Sequence, residues 1–199
     1  MSEKIVIFGG SFDPPHQGHR MLADHVRDIF KPEKIIVVPC FIQPLKTPQS
    51  APAEHRLQMA KLMFGNSNFL VSDYEIKKGE VSYSIDTIIH FRELFKGADI
   101  YFLMGEDSFM NIEKWKRYNE LLGLCKYIVV SRTKNDSSKL RVFASGIEEK
   151  YDTEVHIVDD FFNPASSTQI REKLLKGIKP EHINPNVFNY IRTNNLYKG

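Results

Sequence analysis

The sequence predicts a doubly wound parallel α/β sheet with helices on both faces, formed by a single domain spanning residues 1–199. Strand-like and helix-like patterns alternate from the start, which is the signature of parallel βαβ units. A length of 199 residues suits one core, because a globule of that size buries about 70% of its unfolded surface. The composition, 42% hydrophobic, 26% charged and 12% aromatic, belongs to a globular chain and not to a disordered one.

Residues 4–9 (KIVIFG) are a short β-branched run, followed by a Gly/Pro loop and a helical stretch over residues 17–30. Residues 34–40 (KIIVVPC) read as the second strand. A loop carrying Pro39, Pro44, Pro48 and Pro52 then leads to a helix over residues 53–64, with Leu57, Ala60, Leu62 and Phe64 as apolar positions. That loop is long enough to be functional. Further strands are expected at 69–76, 99–105, 126–132 and 154–160, with helices at 85–96, 170–176 and 186–194. No internal repeat, low-complexity tract or second-domain linker interrupts the series. In such a sheet ligands bind outside the carboxyl ends of the strands, near the topological switch.

A formal net charge of +2 gives no general attraction to polyanions, so no nucleic-acid partner is expected. No apolar run approaches the roughly 20 residues that span a bilayer. The first strand-like segment begins without a basic leader or cleavage site, and a cytoplasmic protein without membrane association is expected. The two cysteines, Cys40 and Cys125, adjoin apolar runs and lack CxxC pairing, so they read as buried small hydrophobes.

The first βα junction carries GGSFDPPHQGH, residues 9–19. Gly9 and Gly10 let the backbone approach a phosphate without an intervening Cβ and permit positive φ. Phe12 can anchor the loop, while Pro14 and Pro15 stiffen it. His16 and His19 flank the start of the first helix, where unsatisfied N–H groups and the helix dipole favour an anion. Imidazoles in that field should lose protons when the site is empty and keep them when a triphosphate is bound. A tight turn with incidental histidines, or zinc held by His16 and His19, are weaker readings, because no third ligand accompanies the pair. No GK[ST] follows for a P-loop, and GxGxxG is absent. His25, His55, His90, His156 and His182 have no such context and suit surface or core positions.

Near the other end, NPASSTQIRE places Ser166, Ser167 and Thr168 ahead of an apolar helical pattern, as an N-cap cluster would be. Arg171 falls in the first turn, where a cation opposes the dipole unless an anion lies nearby. An ordinary capped surface helix would show the same pattern. SYSIDT puts Tyr83, Ser84 and Thr87 at another helix start, whose simpler reading is an N-cap with an aromatic staple. Trp115, the single tryptophan, lies between Lys114 and Lys116 and suits either a stacking platform or a partly exposed packing residue. MGEDSF follows an apolar strand, so Gly105 and Asp107 should reach the ligand edge, where a carboxylate can accept from ribose hydroxyls.

GGSFDPPHQGH resembles the signature of the HxGH nucleotidyltransferase superfamily, and within it the bacterial nicotinate mononucleotide adenylyltransferases. The resemblance implies a Rossmann-like fold and adenylyl transfer from ATP, with Gly9, Gly10, Ser11, Phe12 and Gly18 around the nucleotide and His16 and His19 on the transferring group. SSTQIR is similar to the family's SSTxIR, which implies that Ser167, Thr168 and Arg171 hold the outer phosphates. SYSIDT is similar to the family's SYTxDT, with Ser84 replacing threonine, and the resemblance implies that the backbone of this motif, at Tyr83, Ser84 and Thr87, meets the nicotinate carboxylate while Trp115 stacks on the pyridine ring. Gly105 and Asp107 match IGxD on the adenosine side, and Arg132 matches a family arginine. Lys46 lies in QPLK where the family commonly has PPHK, so Leu45 departs from the pattern and only the lysine carries over.

The implied reaction is in-line attack by the phosphate of nicotinate mononucleotide on the α-phosphorus of ATP. His16, His19, Lys46, Arg171 and a Mg2+ carried by the triphosphate neutralise charge, and no protein metal cage is required. Phosphopantetheine adenylyltransferases, with TxGH, are a rival that His16, Tyr83 and Trp115 disfavour. Two further rivals are the same chemistry on nicotinamide mononucleotide and a non-catalytic sensor that binds ATP. The sequence is compatible with a homo-oligomer and does not fix its order.

Overall fold

Ile5, Val6, Ile7 and Phe8 are all buried, as the two-sided burial of a parallel strand requires, and they form β1 (Lys4–Gly10). The computed structural model describes residues 2–44, 49–65, 69–131 and 137–198. The elements then follow as α1 (Gln17–Phe30), β2 (Lys34–Pro39), α2 (Ala53–Phe64), β3 (Phe69–Val71), α3 (Tyr74–Lys78), α4 (Ser84–Leu94), β4 (Asp99–Gly105) and α5 (Glu106–Phe109). After a 3₁₀ turn (Ile112–Lys114) come α6 (Tyr118–Leu122), β5 (Lys126–Val130), α7 (Ser138–Tyr151), β6 (Val155–Val158), α8 (Ser167–Leu175) and α9 (Pro185–Thr193).

The strands form one six-stranded sheet in the order β3-β2-β1-β4-β5-β6. The order runs outward from β1 in one direction and from β4 in the other, which is the double winding expected and puts the switch point at β1 and β4. β1 pairs parallel with β4, with Lys4 opposite Asp99 and Phe8 opposite Leu103. β4 and β5 pair with Tyr101 opposite Lys126, and β5 and β6 with Tyr127 opposite Val155. No helix among the described residues is long and apolar enough to cross a membrane.

The chain groups into two compact units. The first comprises Met1–Gly9, Lys31–Ile35 and Tyr83–Phe162. Here α4 packs on β4 and α6, and α7 packs on β6 and α6. The core is aromatic at α5, where the Phe109 ring lies 5.8 Å from that of Tyr127 and meets Phe143 edge-to-face at 5.5 Å. The second comprises Gly10–Phe30, Ile36–Ser82 and Asn163–Gly199. There α2 packs against β3 and α9, and Phe64 meets both Phe12 and Phe69 edge-to-face.

Two expectations are corrected. The strand expected at 69–76 stops at Val71, and α3 follows. Asp73 at the N-cap position, Glu75 in the first turn, Lys77 and Lys78 in the last and Gly79 at φ 67° make a short helix that suits its dipole and ends on a left-handed residue. α7 is absent from the expected elements, although its buried Leu140, Ala144 and Ile147 have helical spacing. Gly146 and the polar KNDSS run ahead of the helix obscure that signal. The remaining expected elements agree to within about three residues, the uncertainty proper to helix and strand ends. Cys40 and Cys125 are free and buried, and burial pushes the Cys125 thiol up to about 12.

The Tyr127 side chain is fully buried and donates from its hydroxyl to the Leu121 carbonyl at 2.8 Å. Tyr127→Phe should lower the unfolding free energy by about 1 kcal/mol, measured by urea titration. An unchanged midpoint would show that this bond contributes nothing to the fold.

Candidate functional site

Most of the expected phosphate-binding residues lie within the second unit. His16 occupies the position before α1, and its carbonyl accepts from the N–H groups of His19 and Arg20 at 3.0 and 3.3 Å. The His16 N–H donates to His19 Nδ1 at 3.2 Å, so a neutral His19 carries its proton on Nε2. The two rings stack with centroids 3.7 Å apart, and Phe12 meets His19 edge-on at 5.1 Å.

This packing sets the charge state. Burial, reinforced by the nearby His182, lowers the His16 pKa to about 4. Burial and the adjacent His16 also hold His19 well below 6.5. Both imidazoles are therefore neutral at pH 7. Among the described residues, His16 Nδ1 is buried without a hydrogen-bond partner.

The glycines act by close approach and not by positive φ. Phe12, at φ 48°, is the left-handed residue of the loop, and its ring is buried, so it can serve a ligand only through its backbone. A Cβ on Gly10 would lie 3.1 Å from the Phe12 ring, and one on Gly9 would lie 3.3 Å from Phe102. Gly18 is the most constrained, since a Cβ there would fall 2.8 Å from Asn163 Oδ1 and 3.0 Å from His16 Nδ1. The Ser11 hydroxyl bonds Gln43 at 2.6 Å.

Ser166 takes the N-cap position of α8 without a side-chain capping bond. The Ser167 hydroxyl donates instead to the Pro14 carbonyl at 2.9 Å. Arg171 lies just beyond the first turn of α8, not within it. Its Nη1 donates to the Asp13 carbonyl at 2.7 Å, and its Nη2 to the Thr168 hydroxyl at 3.3 Å. The Asp13 carboxylate lies 3.9 Å from the same Nη1, so the cation is held by carbonyl, hydroxyl and carboxylate oxygens around the histidine loop. Lys46 lies outside the described residues, as does Arg132.

Four residues here are not singled out by the sequence pattern, Asp13 lying within the 9–19 motif and the other three outside any motif. The His182 carbonyl accepts the Gln17 N–H at 2.8 Å, which ties the segment before α9 to the start of α1. Asp13, Arg56 and Tyr197 are buried against the same loop. Asp13 and Arg56, at 5% and 1% exposure, are charged residues in an anomalous setting that only packing reveals.

The expected acceptor residues lie in the first unit. Tyr83 precedes α4 in an extended conformation and makes no side-chain cap, and Ser84 is the first helical residue. Thr87 is buried at 2% exposure, and its N–H turns to the Tyr83 carbonyl at 3.4 Å. The Thr87 side chain therefore packs the helix, and Tyr83 and Ser84 stand at its start. Trp115 is half-buried, edge-on to Phe102 with centroids 6.2 Å apart, and Lys116 Nζ lies 4.0 Å from the centre of the Tyr83 ring. Gly105 takes the N-cap position of α5, and Asp107 is exposed one residue into that helix, at the carboxyl end of β4. Among the described residues, no group of three His, Cys, Asp or Glu side chains is placed to hold a metal ion.

A doubly wound sheet with a histidine loop after β1 and a serine-threonine-arginine helix near the carboxyl end is the arrangement of a nucleotidyltransferase-type fold. A cytidylyltransferase-like profile matches residues 7–173, and the chain belongs to that family. A protein of Chloroherpeton thalassium named "Probable nicotinate-nucleotide adenylyltransferase" is 39% identical, over 88% of this chain and 87% of its own. One of the same name from Clostridium acetobutylicum is 35% identical, over 98% and 99%. The structure of Plasmodium falciparum nicotinic acid mononucleotide adenylyltransferase complexed with NaAD is 24% identical with a TM-score of 0.78, over 98% of this chain and 97% of that one. At that identity the likeness bears on the fold.

Two outcomes follow from the loop geometry. An anion that raises the pKa of neutral histidines must take up protons, so tripolyphosphate should bind more tightly as pH falls from 8 to 6. Calorimetry with saturating Mg2+ in buffers of different ionisation enthalpy should show that uptake, and His16→Gln should diminish it. Equal uptake in the variant would place the titrating group elsewhere. Gly18→Ala, which displaces the His16 ring, should weaken tripolyphosphate binding or turnover by about 100-fold, and wild-type behaviour would show that the close approach has no functional role.

Proposed function

We propose that the protein transfers the adenylyl group of ATP to nicotinate mononucleotide, giving nicotinate adenine dinucleotide and pyrophosphate, a step of NAD biosynthesis. The observation that carries the chemistry is the neutral, stacked His16–His19 pair at the start of α1, with the His19 proton directed to Nε2. The names of the relatives in Chloroherpeton thalassium and Clostridium acetobutylicum support the acceptor.

An acceptor phosphate is already anionic and needs no general base. It attacks the α-phosphorus, one P–O bond forms, the bond to the β-phosphate bridging oxygen breaks, and pyrophosphate departs with that electron pair. His16 and His19 would donate hydrogen bonds to the phosphoryl oxygens as charge develops, while Arg171 and the start of α8 receive the outer phosphates. The Tyr83–Ser84 start of α4 and the half-buried Trp115 would receive the pyridine ring and its carboxylate.

Mg2+ would be held by the triphosphate and water. Asp13, the buried carboxylate of the loop, already accepts from the Ser50 and Ala51 N–H groups and the Tyr197 hydroxyl. The site around it offers nitrogen donors that suit phosphate and not a hard cation. Cytoplasmic location accords with these substrates.

The test is pyrophosphate release by purified protein with ATP and Mg2+, offered nicotinate mononucleotide, nicotinamide mononucleotide or phosphopantetheine. Turnover should be greatest with the first. Turnover confined to another acceptor overturns the acceptor assignment, and none with any of them overturns the enzyme. His19→Ala should cut kcat by about 100-fold or more. Trp115→Ala should instead raise KM for the acceptor and leave that for ATP near wild type.

A further inference from the structure

Arg56, on α2, has 1% of its surface exposed, and its guanidinium donates to three backbone carbonyls from separate segments. Nη1 reaches Ser11 at 2.8 Å, Nη2 reaches Phe41 at 2.8 Å, and Nε reaches Ala51 at 3.1 Å. Ser11 belongs to the histidine loop, Phe41 follows β2, and Ala51 leads into α2. Two residues beyond Ser11, the buried Asp13 makes the reciprocal contacts. It accepts from the Ser50 N–H at 2.7 Å, the Ala51 N–H at 3.1 Å and the Tyr197 hydroxyl at 2.7 Å.

We propose that Arg56, Asp13 and Tyr197 form a positioning clamp that fixes the histidine loop in its anion-receiving geometry before any anion arrives. The proposal rests on the reading of this loop as a phosphate site and adds residues that touch no substrate. The Asp13 carbonyl is the acceptor for Arg171, and the Pro14 carbonyl is the acceptor for Ser167. His16 follows two residues later. A shift of Asp13 therefore moves the carbonyls that orient the α8 cation and hydroxyl together with the stem of the histidine pair. The Tyr197 phenol is kept protonated, and so a donor, by burial and by Asp13, which both push its pKa up.

The physical logic is preorganisation. Three N–H or O–H donors on a buried carboxylate, and three carbonyls on a buried guanidinium, satisfy charges that would otherwise be costly. They also give the loop one conformation. A loop free to sample others would lose orientation at the moment of transfer, when sub-ångström placement controls rate.

Tyr197→Phe removes a single hydroxyl at constant shape, and Asp13→Asn is a second near-isosteric variant. Each should lower kcat and tripolyphosphate affinity by about tenfold, with acceptor KM unchanged. Arg56→Lys should retain more activity than Arg56→Met, since an ammonium can still reach one or two of the carbonyls. The decisive arm uses a His19→Ala background. There Tyr197→Phe should lower kcat by clearly less than in the wild type, the share passing through His19 being already lost and the share passing through Arg171 and Ser167 remaining, because residues acting through one group are non-additive.

An equal loss in both backgrounds, or full kcat and full tripolyphosphate affinity in Tyr197→Phe and Asp13→Asn, would overturn the clamp. If the wild type fails to use nicotinate mononucleotide while Tyr197→Phe still weakens tripolyphosphate binding, the acceptor assignment falls and the clamp stands.

Discussion

A guanidinium keeps its proton at every accessible pH, so a chain that buries one must bring acceptors to it. Arg56 is met by carbonyls of Ser11, Phe41 and Ala51, and none of these three residues lies within a described strand or helix. The arrangement is reciprocal. Irregular backbone buried beside a sheet edge needs hydrogen-bond partners that no ladder supplies, and the guanidinium fork supplies them. The loop after β1 can thus remain short of regular structure and still hold one shape. The stacking and the proton placement of the two histidines both depend on that shape.

The electrostatic design follows from it. Two protonated imidazoles with centroids 3.7 Å apart would repel each other strongly in a buried site. Burial removes that problem by holding both rings neutral. A bound polyanion reverses the balance, because its charge favours the protonated rings that desolvation disfavours. Arg171 works differently. Its charge is permanent, and it is accommodated by the Asp13 carbonyl, the Thr168 hydroxyl and, at 3.9 Å, the Asp13 carboxylate. The site therefore pairs one fixed cation with two that respond to what is bound, which suits charge that develops during transfer.

Much of this is legible in the sequence, for identifiable reasons. Strands such as residues 34–39 are unbroken β-branched runs, and the loop at 9–19 combines Gly, Pro and His at a βα junction in a way few other functions require. What the sequence hides depends on contacts between distant positions. Asp13 and Tyr197 are 184 residues apart in sequence and 2.7 Å apart in space. Arg56 sits in an ordinary helical pattern, and only its burial distinguishes it from a solvated arginine. His182 has no motif around it, yet its carbonyl meets the start of α1. Positive φ does not fall on Gly9 or Gly10, because φ cannot be read from residue type alone. Phe12 takes the left-handed angle, held there by a ring packed against Phe64 and His19. The burial of the Thr87 side chain is equally hidden, since a motif gives residue order and not the face of the helix each residue occupies.

The residues proposed for the acceptor obey a looser constraint. Tyr83 and Trp115, with Lys116 against the Tyr83 ring, sit at a helix start and around a 3₁₀ turn, at half-buried or exposed positions. Substituting them removes little core packing, in contrast to Asp13 or Arg56, whose loss would strand buried partners. On the proposed reading, recognition of the ring can therefore change by surface substitution while the histidine loop stays intact. The Ser84 replacement fits that view, since it keeps the hydroxyl and drops a methyl at the first residue of α4. On that reading, a phosphate loop tied to the core and ring contacts made by half-buried side chains separate the chemistry from the molecule it acts on.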